Sequence, residues 1–475
     1  MREPEHVAII GGGFSGVALA AELVRSGAGL HVTLVEGGDR LGRGLAYGTP
    51  SASHQLNTRA DQMGLFADDP MHFLNWQRAR GRATHAADFV LRRDYGEYLE
   101  RSLLAVCSSG SRAPLTVEMQ TRATDLVRSA DGFAVSLSDG RALLADTVVL
   151  ATGHPPPADP FGGALRAAPR YVRDPWRHDE IAAIAPADSV LVIGTGLTAV
   201  DIVLELEQRA HRGPIHAVSR RGLLPRAHRA RREALPADLQ TRLCAGFALN
   251  DLREMVATVR RVAVVAEQRG VGWQAVFDAL RPMAPRIWGA LCARDRQRFV
   301  RWLRPFWDVH RHRLPPGQAG RIAALRARGR LAVHAARLGS AVDCGDSIVA
   351  EYTRCARGKV VRERYGWVIN CTGSSFAKST SPPFERQLLE RGLLLPDPLG
   401  LGYVTGTNGA VMSATGPVRG LFVLGPACRP HFWEHTAVPE LRAQAAGLAA
   451  QLLERSEPRA IAPPRGVRVA GIAAR

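Results

Sequence analysis

The stretch His6-Val7-Ala8-Ile9-Ile10-Gly11-Gly12-Gly13-Phe14-Ser15-Gly16, followed by an Ala/Leu-rich segment and then His31-Val32-Thr33-Leu34-Val35-Glu36, decides the fold. It reads as a strand, a glycine turn, a helix and a second strand that ends on an acid. Glycines at 11, 13 and 16 have the spacing G-x-G-x-x-G, and Glu36 follows about 20 residues on, where a ribose hydroxyl needs an acceptor. Gly11 permits the tight turn, Gly13 lets backbone approach a pyrophosphate, and Gly16 lets the helix lie close on the strand. Ser15 sits inside the same turn, and the helix start presents free N–H groups and a positive dipole end to the diphosphate. Three glycines alone are weak evidence. In this order of elements they point to a dinucleotide cradle rather than a bland turn in an α/β core.

The pattern then restarts. After strands of meander type across 115–150, a strand ends in Leu150-Ala151-Thr152-Gly153-His154. A new strand, Ser189 to Ile193, runs into Gly194-Thr195-Gly196-Leu197-Thr198-Ala199, a helix from Val200 to Arg209, and the strand Pro214 to Val218. Meander strands at Leu331–Leu338 and Ser347–Tyr352 precede Trp367-Val368-Ile369-Asn370-Cys371-Thr372-Gly373, an echo of the earlier Thr-Gly ending. Glycine turn, meander and Thr-Gly strand thus occur twice, which marks an internal duplication. Where an NAD site would present an acid, the second copy has Ser219-Arg220-Arg221. Arginine there suits a 2′-phosphate, which favours NADPH.

The expected fold class is α/β, with two Rossmann-like dinucleotide-binding domains, each carrying a β-meander. The expected boundaries are 1–160 for the first part of one domain, 161–365 for the second domain, and 366–475 for the return to the first. Within 161–365 lies an arginine-rich helical insertion, about 225–325, holding four of the eight tryptophans, at 273, 288, 302 and 307. An insertion of this length is expected to cover something. His310, His312 and Arg313 are candidates to line what it covers, with His310 also a candidate catalytic group; the i,i+2 spacing of the two histidines argues against a shared metal. In the loop 45–62, His54 and Asn57 are candidate catalytic groups, because loops on a rigid scaffold carry function. The tail from Pro463 is expected to be loose.

A chain of 475 residues has room for such domains, and no run of 18 apolar residues suggests a membrane span. Seven cysteines without a C-x-x-C pair, behind a start with no room for a leader, fit reduced thiols in the cytoplasm. The net charge of +18 is almost all arginine, with lysine only at 359 and 378. No aromatic-interleaved basic motif accompanies it, which disfavours nucleic acid, and an anionic substrate or NADPH explains part of the excess.

The chain resembles the two-dinucleotide-binding, glutathione-reductase-like flavoproteins, and especially bacterial FAD/NAD(P)-binding proteins related to flavin-dependent N-hydroxylating monooxygenases and a flavin-dependent urate hydroxylase. The resemblance rests on Gly11, Gly13 and Gly16 with Glu36, on Asp146 through His154, on Gly194 to Asp201, and on His435-Thr436-Ala437-Val438-Pro439-Glu440. It implies that the first unit holds FAD, with Gly425 and the helix start at Thr436 near the flavin end and Arg92 or Arg93 close by. The His54–Asn57 segment would approach the isoalloxazine, and NADPH would occupy the second unit. The implied activity is NADPH-dependent hydroxylation of a small polar metabolite with O2, through a flavin peroxide adduct. A reductase on the same scaffold and a non-catalytic nucleotide-sensing or nucleic-acid-associated protein stay open beside it, as does an oligomer. Related sequences often read Asn-Val-Pro-Ala and Gly-Asp where this one has Asn57-Thr58-Arg59-Ala60 and Gly425-Pro426.

Overall fold

The computed structural model describes residues 4–26, 29–108, 113–129, 131–247, 251–356 and 358–456, so the expectation for the tail from Pro463 lies outside the described residues. A six-stranded sheet forms around His6–Ile10, flanked by His31–Val35 on one side and Thr147–Leu150 on the other. Leu115–Glu118 extends it beyond His31–Val35; Gly416–Val423 and Ala410–Ser413 extend it at the opposite edge. The three central strands are almost wholly buried apolar runs, as parallel strands covered on both faces must be. One face packs on the helices Phe14–Arg25 and Val438–Ser456, whose Leu19, Leu23, Leu448 and Leu452 share one core. The other face packs on the three-stranded meander Ala123–Arg128, Phe133–Leu137 and Ala142–Ala145.

The second sheet repeats the arrangement. Val190–Ile193 holds the central place, with Ile215–Ser219 on one side and Trp367–Asn370 on the other. The long strand Leu331–Asp343 pairs in parallel with Ile215–Ser219 over its first five residues. From Ala336 onward, across a register shift between Leu338 and Ala341, it forms a meander with Ile348–Arg354 and Val360–Tyr365, the last a strand the sequence pattern did not reveal. Trp367–Asn370 belongs to this sheet, next to Tyr171–Val172, so the chain leaves the second unit after residue 370 rather than at 365. The reason is the duplication: each Thr-Gly strand lies beside the glycine-turn strand of its own copy.

The insertion is helical, from Ala237–Phe247 and Leu252–Gln268 through Trp273–Leu280 to Arg304–Arg311 and Pro316–Ala327. The side chain of Asp251 caps the Leu252–Gln268 helix by accepting from the Arg253 N–H at 2.8 Å. These helices bury one apolar cluster of their own and a second that takes in Trp433 from the returning chain. No helix among the described residues is long and apolar enough to cross a membrane.

Candidate active site

At the carboxyl ends of the first sheet's strands, the sequence-predicted nucleotide residues converge. Gly11 has φ +111°, and a Cβ there would stand 2.4 Å from the Ala151 carbonyl oxygen. A Cβ on Gly16 would lie 1.9 Å from the Gly11 oxygen, so only glycine lets the helix sit this close. Gly13 is different: a Cβ there would meet nothing nearer than the Gly44 Cα at 3.7 Å, leaving an open approach for a ligand. The Glu36 carboxylate accepts from the N–H groups of Gly12, at 2.8 Å, and Gly38, at 2.6 Å, which fixes it at the end of its strand. Thr152 and Gly153 follow Thr147–Leu150, with open space beside Gly153. Gly425 follows Gly416–Val423, with Ser15 as its nearest neighbour, and Thr436 lies two residues before the final helix. Crevices at this end of an open α/β sheet are where such folds bind ligands.

The second cradle reproduces the first. Gly194 has φ +115° and faces the Cys371 carbonyl, where a Cβ would come within 2.3 Å. Gly196 precedes the helix Leu197–Gln208 with no atom within 4 Å of its Cβ position, and Thr198 lies half-buried in that helix's first turn. Thr195 braces the turn by donating to the Leu223 carbonyl at 2.6 Å and contacting the Ser219 hydroxyl at 2.8 Å. The arginine pair is divided. Arg220 is exposed, while Arg221 donates to the Trp302 carbonyl at 3.2 Å and lies over the Phe306 ring.

His54 is not brought to a cavity. It is wholly buried, with Nδ1 on the Thr49 hydroxyl at 2.7 Å and Nε2 near the Asp201 carbonyl and the Glu205 carboxylate, at 3.2 and 3.3 Å. Arg92 pairs with Asp201 at 2.8 Å, and His178 contacts Glu205 at 3.2 Å. Burial acts to raise the Glu205 pKa, but the hydrogen bonds of His178 and His54 overcome it and hold the carboxyl down at about 2. This cluster joins the first unit to the helix of the second cradle, and His54, expected as a catalytic group, lies buried within that joint. Arg93 is exposed, with its side chain 3.9 Å from Asp94 and its carbonyl accepting from Arg43.

Asn57 does line a cleft, between the loop 57–62 and the insertion. Its carbonyl accepts from His228 Nε2 at 3.0 Å; burial first, then Arg313, pushes the pKa of that imidazole down to about 4. Seven arginines, at 59, 229, 231, 232, 281, 311 and 313, line the cleft against two carboxylates, Glu233 and Asp278. The Arg59 guanidinium crosses to the Arg229 carbonyl at 2.7 Å. Arg311 is held on Glu434 at 2.9 Å, Arg281 on Glu440, and Arg313 on Asp278, while Arg231 and Arg232 are exposed. Sequence reading noted Arg59 only within the segment Asn57-Thr58-Arg59-Ala60 and did not single out Arg281, Arg311 or Glu434. In a chain so rich in arginine, only the partners distinguish these from the rest. His310 lines a separate, aromatic cavity inside the insertion, and His312 lines neither.

Residues 8–155 match the family model described as FAD-NAD(P)-binding. An uncharacterized protein of Mycobacterium tuberculosis (strain H37Rv) is 23% identical over 497 residues, an alignment covering 91% of each chain. Among solved structures, an ornithine N-hydroxylase of Kutzneria sp. 744 is similar at TM-score 0.66 and 15% identity, covering 96% of this chain and 99% of its own. L-lysine 6-monooxygenase from Pseudomonas syringae is similar at TM-score 0.65 and 19% identity, covering 96% and 100%. Residues 8–155 therefore carry the pattern of an FAD-NAD(P)-binding family, and the whole chain shares the fold of these two enzymes.

Proposed function

We propose that this protein is an FAD- and NADPH-dependent monooxygenase that hydroxylates a small, polar, anionic metabolite. The observation that carries the reading is the pair of matching glycine cradles, each open where a diphosphate would approach, at Gly13 and Gly196. FAD would be held by Gly11 to Gly16, Glu36, Thr152, Gly153, Gly425 and Thr436; NADPH by Gly194, Gly196, Thr198 and Arg220. Bound there, the flavin supplies the redox chemistry, taking a hydride from NADPH and using O2 to oxygenate the substrate.

The protein's own residues bind and orient. Two backbone N–H groups fix the Glu36 carboxylate as an acceptor for ribose hydroxyls. In the arginine cleft, ion pairs with Glu434, Glu440 and Asp278 hold Arg311, Arg281 and Arg313 in place, and the surplus positive charge draws an anion. Such fixed guanidinium groups suit a carboxylate or phosphate on the substrate. The insertion supplies one wall of the cleft.

A flavin dehydrogenase or electron-transfer reductase without oxygen insertion is the second reading, and within it a disulfide reductase is disfavoured. Dithiol chemistry needs two neighbouring thiols, whereas the cysteines are free and scattered, Cys371 and Cys428 being buried with thiol pKa values raised by desolvation. The test is a panel of small carboxylates, amino acids and phosphates, following NADPH consumption, oxygen uptake and peroxide together. Oxygen uptake that depends on one anionic compound and yields an oxygenated product with little peroxide supports the reading. NADPH oxidation that is independent of every compound and delivers all its electrons to peroxide or an acceptor dye would overturn it.

A further inference from the structure

Behind the arginine cleft, the helices Trp273–Leu280 and Arg304–Arg311 turn their other faces to a second cavity of about 420 Å³. Its walls include Phe277, Trp288, Phe299, Trp307 and Trp433, and eight aromatic residues line it in all, besides His310. A cavity that holds one benzene is roughly 150 Å³, so this one has room for two or three fused rings. The cavity opens to solvent on one side, so its aromatic walls stay in contact with water unless a ligand fills it.

Two features mark the backbone around this cavity as locally irregular. Phe299 and Leu303 project from a π-helical turn, Phe299–Leu303, of the kind that recurs at functional sites. Trp433 takes the left-handed backbone conformation, φ +60°, that a bulky residue adopts only under constraint, and its ring stacks on Trp288 at 4.7 Å.

The polar groups narrow the occupant. The indole N–H groups of Trp288 and Trp307 are spent on the Pro430 carbonyl and on Glu434, both at 2.8 Å. Arg260 is exposed, at the rim. His310 stacks on Phe277, ring centroids 5.1 Å apart, and its Nδ1 lies 2.7 Å from the Phe306 carbonyl. A carbonyl only accepts, so Nδ1 carries the hydrogen and Nε2 is a bare acceptor with no protein partner among the described residues. Burial lowers the His310 pKa, which keeps the ring neutral.

We propose that this cavity is a binding site for an uncharged aromatic small molecule of two or three rings that bears one O–H or N–H donor for His310. The site is distinct from the arginine cleft, and its occupancy does not depend on the monooxygenase reading.

The test titrates the full chain, loaded with FAD, with 2-naphthol and with naphthalene, following tryptophan fluorescence and heat. Saturable binding of one 2-naphthol per chain, about tenfold tighter than naphthalene, is expected from one added hydrogen bond. His310→Phe should bring the two affinities together, and Ala263→Phe, which fills the cavity from a lining position, should abolish both. Circular dichroism and FAD retention show that each variant is folded. No saturable binding to the wild-type chain, or equal binding to wild type and both variants, would overturn the proposal. NADPH titration of the same preparation keeps the outcomes separate: loss of nucleotide binding counts against the proposed function and leaves the cavity result untouched.

Discussion

Two glycines two residues apart have different jobs, and substitution separates them. At Gly194, alanine would bring both a positive φ and a Cβ 2.3 Å from the Cys371 carbonyl, so Gly194→Ala should cost about 2 kcal/mol and lower the melting temperature measurably. Gly196 has ordinary backbone angles and open space, so Gly196→Ala should melt like the wild type while raising the KM for NADPH about tenfold or more, because the new methyl stands where the pyrophosphate approaches. A fall in melting temperature for both, or for neither, would contradict this division. The arginine pair divides likewise. Arg220 is free to meet a 2′-phosphate, so Arg220→Ala should weaken NADPH about tenfold and leave NADH unchanged. Equal effects on the two nucleotides would remove the phosphate assignment. Arg221 already serves Trp302 and Phe306, and its substitution should loosen the insertion as well.

Among elements, the insertion is fastened to the returning chain by buried ion pairs. Arg311 meets Glu434 with both side chains almost completely excluded from water, and Glu434 also accepts from Trp307 at 2.8 Å. Removing one charge strands the other, so Arg311→Met should destabilise by about 3 kcal/mol. The double variant Arg311→Met with Glu434→Gln should recover most of that loss, because no bare charge is left behind. Denaturant melts of the single and double variants decide it; equal losses would show that packing, and not the stranded carboxylate, sets the cost. Arg59 fastens the insertion to the loop 57–62 instead. It stands where related sequences often carry proline, and its buried guanidinium donates to the carbonyls of Arg229 and Ala230.

For the whole molecule, Glu205, at the joint of the two units with His54 and His178, contributes to the response to acid. Glu205 has a pKa depressed from an ordinary carboxyl value to about 2 in the folded chain. A depressed carboxylate contributes stability above its unfolded pKa and loses it as pH falls through the folded value. The contribution should therefore be complete above about pH 5 and vanish toward pH 2, amounting to at most ~3 kcal/mol. Acid titration of the melting temperature should be flatter for Glu205→Gln than for the wild type across that window; identical slopes would show that the cluster does not carry the acid response.

Sequence alone determined the two cradles, their order and the duplication. Each depends on contacts within a strand, a turn and the helix that follows, and on glycine's freedom at Gly11 and Gly194, which are local matters of backbone geometry. Tertiary structure decided the rest. Arg281 finds Glu440 across 159 residues, and Arg59 finds Arg229 across 170, distances over which no spacing pattern survives. His54 reads in sequence as a loop group free to act, yet it is buried because the helix of the second cradle closes over it. His310 reads in sequence as a candidate pocket-lining group, but only the packing of helices around it sets it among aromatic rings, in a cavity apart from the arginine cleft. Local chain geometry is written in neighbouring residues, whereas a cleft or a cavity is made of faces that meet only when the whole chain has folded.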